Sequence, residues 1–178
     1  EWFQSLNGQV PENYPDWLND FGLKQILHIA NFNMIQALVG TITGSTRREP
    51  LLFDPIMTGE RSNKKPTVFV RDFLTEGLVF QLDFNQLLYW LDQNKMTIDP
   101  SLKILPFEGD AENNFRYLIS HNENCNRAVT VLLHTYCHML IQQSTIDTGL
   151  EIQSLAERIY PKTASFFIYS TSGLNIGG

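Results

Sequence analysis

The chain has 178 residues, 43% of them hydrophobic and 18% charged, enough to bury a real core in one domain or two small lobes. A formal net charge of -6 argues against an isolated, broadly electrostatic nucleic-acid binder, which needs a basic excess to displace phosphate counterions. No apolar run approaches the roughly 20 residues that span a bilayer, no signal-peptide pattern opens the chain, and Cys125 and Cys137 are its only cysteines, so the expected setting is reduced and cytoplasmic.

Residues 1–20 place Trp2, Phe3, Tyr14 and Trp17 among Pro11 and Pro15. They read as an irregular aromatic arm that either packs on a neighbouring domain or caps this chain's own core. Over residues 23–39 the apolar positions Leu23, Ile26, Leu27, Ala30, Met34, Ile35 and Leu38 recur at three- and four-residue steps, which predicts a helix stopped at Gly40. Residues 43–66 are rich in Gly and Pro and form a loop that concentrates the positive charge in Arg47, Arg48, Arg61, Lys64 and Lys65. Two β-branched and aromatic runs, 67–71 and 77–83, read as a short antiparallel pair joined by a glycine-containing connection. Asp83 or Asn85 then caps a short helix through Leu87, Leu88, Trp90 and Leu91, and residues 92–110 read as loop.

The second half opens with a short helix over 111–119 and a long one over 126–145, whose buried face is Val129, Leu133, Tyr136, Leu140 and Ile141. Gly149 ends it. A further helix carries Ile152, Leu155, Ala156 and Ile159, opened by a capping box of Thr148 with Glu151 or of Ser154 with Glu157 and stopped by Pro161. Residues 164–171 are too apolar for an edge and predict a buried strand. The expected fold is therefore mixed α+β, with short antiparallel strands and a helix-helix-strand C-terminal unit, divided into lobes 1–110 and 111–178. The start at Glu1 and the close on Gly177-Gly178, directly after a strand, read as those of one part of a larger protein.

His134 and His138 have the i, i+4 spacing of two metal ligands on one helix face. A metalloprotease of that pattern needs Glu after the first histidine as general base, and Thr135 stands there instead. No Asp, Glu or Cys offers itself as third ligand by spacing. The competing reading is a pair of semi-buried histidines bonded to backbone or neighbouring polar groups. Cys137, between core positions, reads as an inert buried thiol rather than a nucleophile, and Cys125, near the helix start, is placed where the helix dipole lowers a thiol pKa. Phosphate-binding loops, dinucleotide fingerprints and nucleophile elbows are absent from the sequence. The basic loop either holds nucleic-acid phosphates or is merely solvated.

The run His134-Thr135-x-x-His138-x-Leu140-Ile141, Gly149, Ser154-Leu155-x-Glu157-Arg158-Ile159-Tyr160, Ile168-Tyr169 and Gly177-Gly178 resembles the helicase-associated zinc-binding domain of the MrfA type. Within that family it looks most like the DrmB group of the DISARM anti-phage system. Gln36-Ala37-Leu38-Val39-Gly40 and the strand Glu76-Gly77-Leu78-Val79-Phe80-Gln81-Leu82-Asp83 extend the likeness upstream, to a span of roughly residues 23–178. The resemblance implies a non-catalytic accessory module of a superfamily 2 helicase that helps engage DNA in phage defence or repair, with no membrane partner. It also implies zinc held by a cysteine cluster, much of it beyond the Gly-Gly turn, since Cys125 and Cys137 form no Cys-x-x-Cys pair. A metal-dependent hydrolase or nuclease, with His134 and His138 as ligands, is the alternative.

Overall fold

The computed structural model describes residues 17–38, 40–41, 51–52, 68–106, 108–149 and 151–171. In chain order the elements are α1 (Trp17–Asp20), β1 (Leu23–Leu38), β2 (Gly40–Thr41), β3 (Leu51–Leu52), β4 (Phe69–Leu82), α2 (Phe84–Gln93), α3 (Lys95–Ile98), α4 (Ala111–His121), α5 (Glu123–Thr148), β5 (Leu155–Tyr160) and β6 (Ser165–Ser170). The fold is mixed α and β, as expected. The chain divides into two compact units, residues 1–31 with 75–178 and residues 32–74. The division does not fall at residue 110, because Leu87 and Leu88 of α2 and Phe115 of α4 share one core cluster. No helix among the described residues is long and apolar enough to cross a membrane.

The larger unit rests on a four-stranded sheet in the order β1-β4-β6-β5. Where a helix is expected over 23–39, the chain forms β1: Leu23, Leu27 and Ile29 are buried while Lys24, His28 and Ala30 are exposed. The period of two is masked in the sequence by Gln25, a polar residue on a covered position, whose amide Nε2 donates to Gln81 Oε1 at 2.7 Å. That bond supplies the partner without which burying an amide is costly. His28 Nε2 meets Glu76 Oε2 at 3.3 Å. With the Gln25–Gln81 pair, it shows β1 and β4 running in opposite directions.

The two strands expected over 67–83 are one, β4, without a turn at Gly77. Gly77 lies opposite Tyr169 in the antiparallel pairing of β4 with β6. Its missing side chain leaves room for the Phe167 ring, so the glycine serves close packing rather than reversal. Asp83 caps α2 as expected, its carboxylate accepting from the Gln86 N–H at 2.9 Å. A single turn, α3, interrupts the expected loop.

The hydrophobic face of α5 is a row at four-residue steps, Cys125, Val129, Leu133, Cys137 and Ile141, all buried. This row packs with Phe115 and Ile119 of α4, Leu88 and Leu91 of α2, and Phe166 and Ile168 of β6 in one cluster. Asn122 starts the helix by accepting from the Cys125 N–H at 2.9 Å. Its amide in turn donates to Asp99 Oδ2 at 3.1 Å, which ties the helix start to the α3 turn. Gly149, at φ 71, closes α5 in the left-handed conformation that costs glycine least.

The second C-terminal helix expected around Ile152, Leu155, Ala156 and Ile159 is replaced by one 3-10 turn, Ile152–Ser154, and the strand β5. Ser154 ends that turn and Glu157 lies in the strand, so they form no capping box. The unit is thus helix-strand-strand: β5 and β6 make an antiparallel hairpin from Leu155↔Ser170 to Tyr160↔Ser165, turned by Pro161–Thr163 and Ala164 at φ 49. The reason is tertiary. Every residue of β6 is buried, and buried backbone groups need partners on both sides. β4 satisfies one side and β5 the other.

In the smaller unit the outer residues of β1 and β4 are accompanied by the antiparallel β2–β3 pair, Gly40↔Leu52 and Thr41↔Leu51. Ile35, Leu38, Phe69, Val70 and Leu74 are exposed along these strands. Of the aromatic arm, Trp2, Phe3 and Tyr14 lie outside the described residues, and α1 contributes Leu18 to the core of the larger unit.

Candidate functional site

Each residue on α5 is turned about 100° from the one before it. His134 and His138 each follow a member of the buried row, Leu133 and Cys137, so they stand on its shoulder. The strand at that side of the sheet is β5, whose side chains alternate between faces. Leu155 and Ile159 point to the core cluster, and Glu157, between them, shares their face. The result is a three-residue constellation built from two elements. His134 Nδ1 lies 2.6 Å from Glu157 Oε1, His138 Nε2 lies 3.9 Å from the same oxygen, and the Nε2 atoms of the two histidines are 3.0 Å apart. Among the described residues these three form the group whose ligand atoms all lie within 4.8 Å of one another.

The hydrogen-bond roles follow from chemistry. A carboxylate only accepts, so the short contact requires His134 to carry its proton on Nδ1. In the neutral ring its Nε2 is then a lone pair, which accepts from His138 Nε2 when that ring carries its proton there. The rings meet edge to face at 88°, with centroids 4.3 Å apart. Both imidazoles are open to solvent, at 52% and 58% side-chain exposure, whereas Glu157 is at 21%. The second Glu157 oxygen, Oε2, is buried without a hydrogen bond of ordinary geometry. A weakly donating thiol, Cys137, faces this carboxylate, and burial first, then the Glu157 charge, push that thiol well above the usual range.

Cys137 is therefore the inert thiol expected. Cys125 reverses its expectation: burial, followed by the charge of Asp99, pushes it up to about 11. Asp99 itself is held below the usual carboxylate range by hydrogen bonds, from the Ser101 hydroxyl first and then Asn122 and the Ser101 backbone. The two cysteines are buried on one helix and twelve residues apart, roughly 18 Å along its axis. They do not fit a shared zinc ion, and the cysteine-bound zinc implied by the resemblance has no site among the described residues.

The remaining motif residues divide. Thr135 donates to the Val131 carbonyl one turn back at 2.8 Å and lines a cleft. Arg158 is exposed, opposite Phe167 in the hairpin register. Tyr160 closes β5 opposite Ser165, and Tyr169 is buried in β6, stacked on Phe167 with centroids 5.2 Å apart. Gly177, Gly178 and the basic residues Arg47, Arg48, Arg61, Lys64 and Lys65 lie outside the described residues.

The cleft that includes Thr135, about 480 Å³, is lined by apolar, hydroxyl and amide side chains of α2, α3 and α5 with Arg127 as its charged residue. A second, about 610 Å³, runs along α2 from Asn85 to Gln93. Neither contains His134, His138 or Glu157. The sequence reading missed Glu157 as the third member because it placed that residue in a helix, with Ser154 as its capping partner in one of two alternatives; Leu155, Glu157 and Ile159 at two-residue steps were the strand signal that pointed to it. Compared with protein-family models, curated proteins and solved structures, the chain matches none.

Proposed function

We propose that the chain is a non-catalytic accessory module that works with a superfamily 2 helicase in the cytoplasm and helps it engage DNA, in DISARM-like anti-phage defence or in DNA repair. One observation carries this reading: His134 and His138 of one motif segment meet Glu157 of the other, so the two segments form one structural unit. The open surface around both imidazoles favours binding over catalysis, because a hydrolase or nuclease acting through them needs a cleft that orients its substrate. The exposed apolar side chains of Ile35, Leu38, Phe69 and Val70 are also what an assembly surface requires.

The test is co-expression with a superfamily 2 helicase of the DISARM type, followed by fluorescence anisotropy with labelled DNA at two salt concentrations. The complex is expected to co-elute and to bind DNA in a salt-sensitive way that the chain alone does not match. Charge reversal at Arg47, Arg48, Lys64 and Lys65 is expected to weaken binding by the complex and flatten its salt dependence. Tight DNA binding by the chain alone, unaffected by that charge reversal, would remove the proposed surface.

A further inference from the structure

We propose that His134, His138 and Glu157 form a binding site for one divalent transition-metal ion of the zinc class, with the two Nε2 atoms as ligands and Glu157 as the carboxylate that orients His134. The site is independent of any helicase partner.

Three features of the geometry support it. The Nε2 atoms already face each other at 3.0 Å. Two imidazole nitrogens bound to one tetrahedral ion at about 2.0–2.1 Å stand roughly 3.3 Å apart, so the rings need to part by only a few tenths of an ångström. Second, the 2.6 Å contact from His134 Nδ1 to Glu157 fixes the tautomer whose Nε2 lone pair points to the ion. A carboxylate bonded to the far nitrogen of a ligating histidine is the usual way a metal-binding imidazole is held and made more basic. Third, ligand type selects the ion: imidazole nitrogen suits zinc, copper(II) and nickel, while magnesium and calcium require oxygen-rich sites.

Ion binding replaces the hydrogen bond between the histidines. Neutral His138 changes tautomer as the ion binds: Nδ1 takes up a proton from solvent while Nε2 releases one to solvent, and the freed Nε2 lone pair takes up the metal. Solvent exposure of both rings leaves the other coordination positions to water or to a group from a partner. Held in this way, the ion links α5 through His134 and Glu157 to the edge strand β5.

The experiment is isothermal titration of the metal-free full chain with zinc chloride, with elemental analysis after dialysis and thermal unfolding with and without zinc. One zinc per chain and a raised unfolding midpoint are expected. Both are expected to be lost in His138→Ala and retained in His121→Ala, a control at an exposed histidine on another helix. Glu157→Gln is expected to weaken zinc binding by about 10–100-fold. Circular dichroism of each variant separates loss of the site from loss of the fold. Absence of saturable zinc binding, its persistence in His138→Ala, or equal affinity for magnesium would each overturn the proposal.

Discussion

Phe166→Ala is expected to destabilise the chain by about 3–5 kcal/mol, the range for removing a fully buried phenylalanine. Phe166 is fully buried in β6, an inner strand of the sheet, and stacks on Phe80 with ring centroids 5.0 Å apart and planes 12° from parallel. The Tyr136 ring of α5 approaches it at 6.3 Å. The side chain therefore holds β4, β6 and α5 at one point, and neighbours committed to other contacts have little freedom to fill the space it leaves. Against a typical total stability of about 5–15 kcal/mol, such a loss leaves a marginal fold. Urea unfolding followed by circular dichroism measures it; a cost below about 1 kcal/mol would mean that the strand and helix do not meet around this ring.

Gly77→Ala is expected to be nearly as damaging for the opposite reason. A Cβ there would overlap the carbonyl oxygen of Ile168 and lie 2.5 Å from Cε2 of Phe167. The aromatic ring can turn aside, but the carbonyl belongs to the β4–β6 pairing and cannot move without disturbing the ladder. Overpacking of this kind costs about 1–3 kcal/mol, and more where backbone must shift. The same urea titration reads the effect. A variant as stable as the parent would contradict the close approach of β6 to Gly77, and it would revive the turn that the sequence invites at this position.

The contrast between these residues shows what the sequence discloses. Elements specified locally were legible: α4, α5 with its stop at Gly149, the Asp83 cap, and β6, whose continuous apolar run could only be buried. Elements specified by their neighbours were not. Gln25 breaks the alternation of β1 because its partner, Gln81, lies on another strand. Gly77 resembles a turn residue until Phe167 and Ile168 are placed beside it. Ile152, Leu155, Ala156 and Ile159 fit a helix, yet the edge of β6 that β4 leaves unpaired takes residues 155–160 as a strand. That one change of element also decides the candidate site. In a helix Leu155, Glu157 and Ile159 would not share one face; as part of β5 Glu157 shares the inward face with Leu155 and Ile159 and reaches His134.

α5 and β5 join His134, His138 and Glu157 into one ordered unit, and the protonation of His134 reports on it most directly. Long-range proton–nitrogen correlation spectra of the imidazoles, recorded on metal-free protein under mildly alkaline conditions, distinguish the two neutral tautomers. The structure predicts that His134 carries its proton on Nδ1, donated to Glu157, and that Glu157→Gln shifts this nitrogen resonance while leaving His121 unchanged. A His134 ring protonated on Nε2 and insensitive to Glu157→Gln would contradict the joined site.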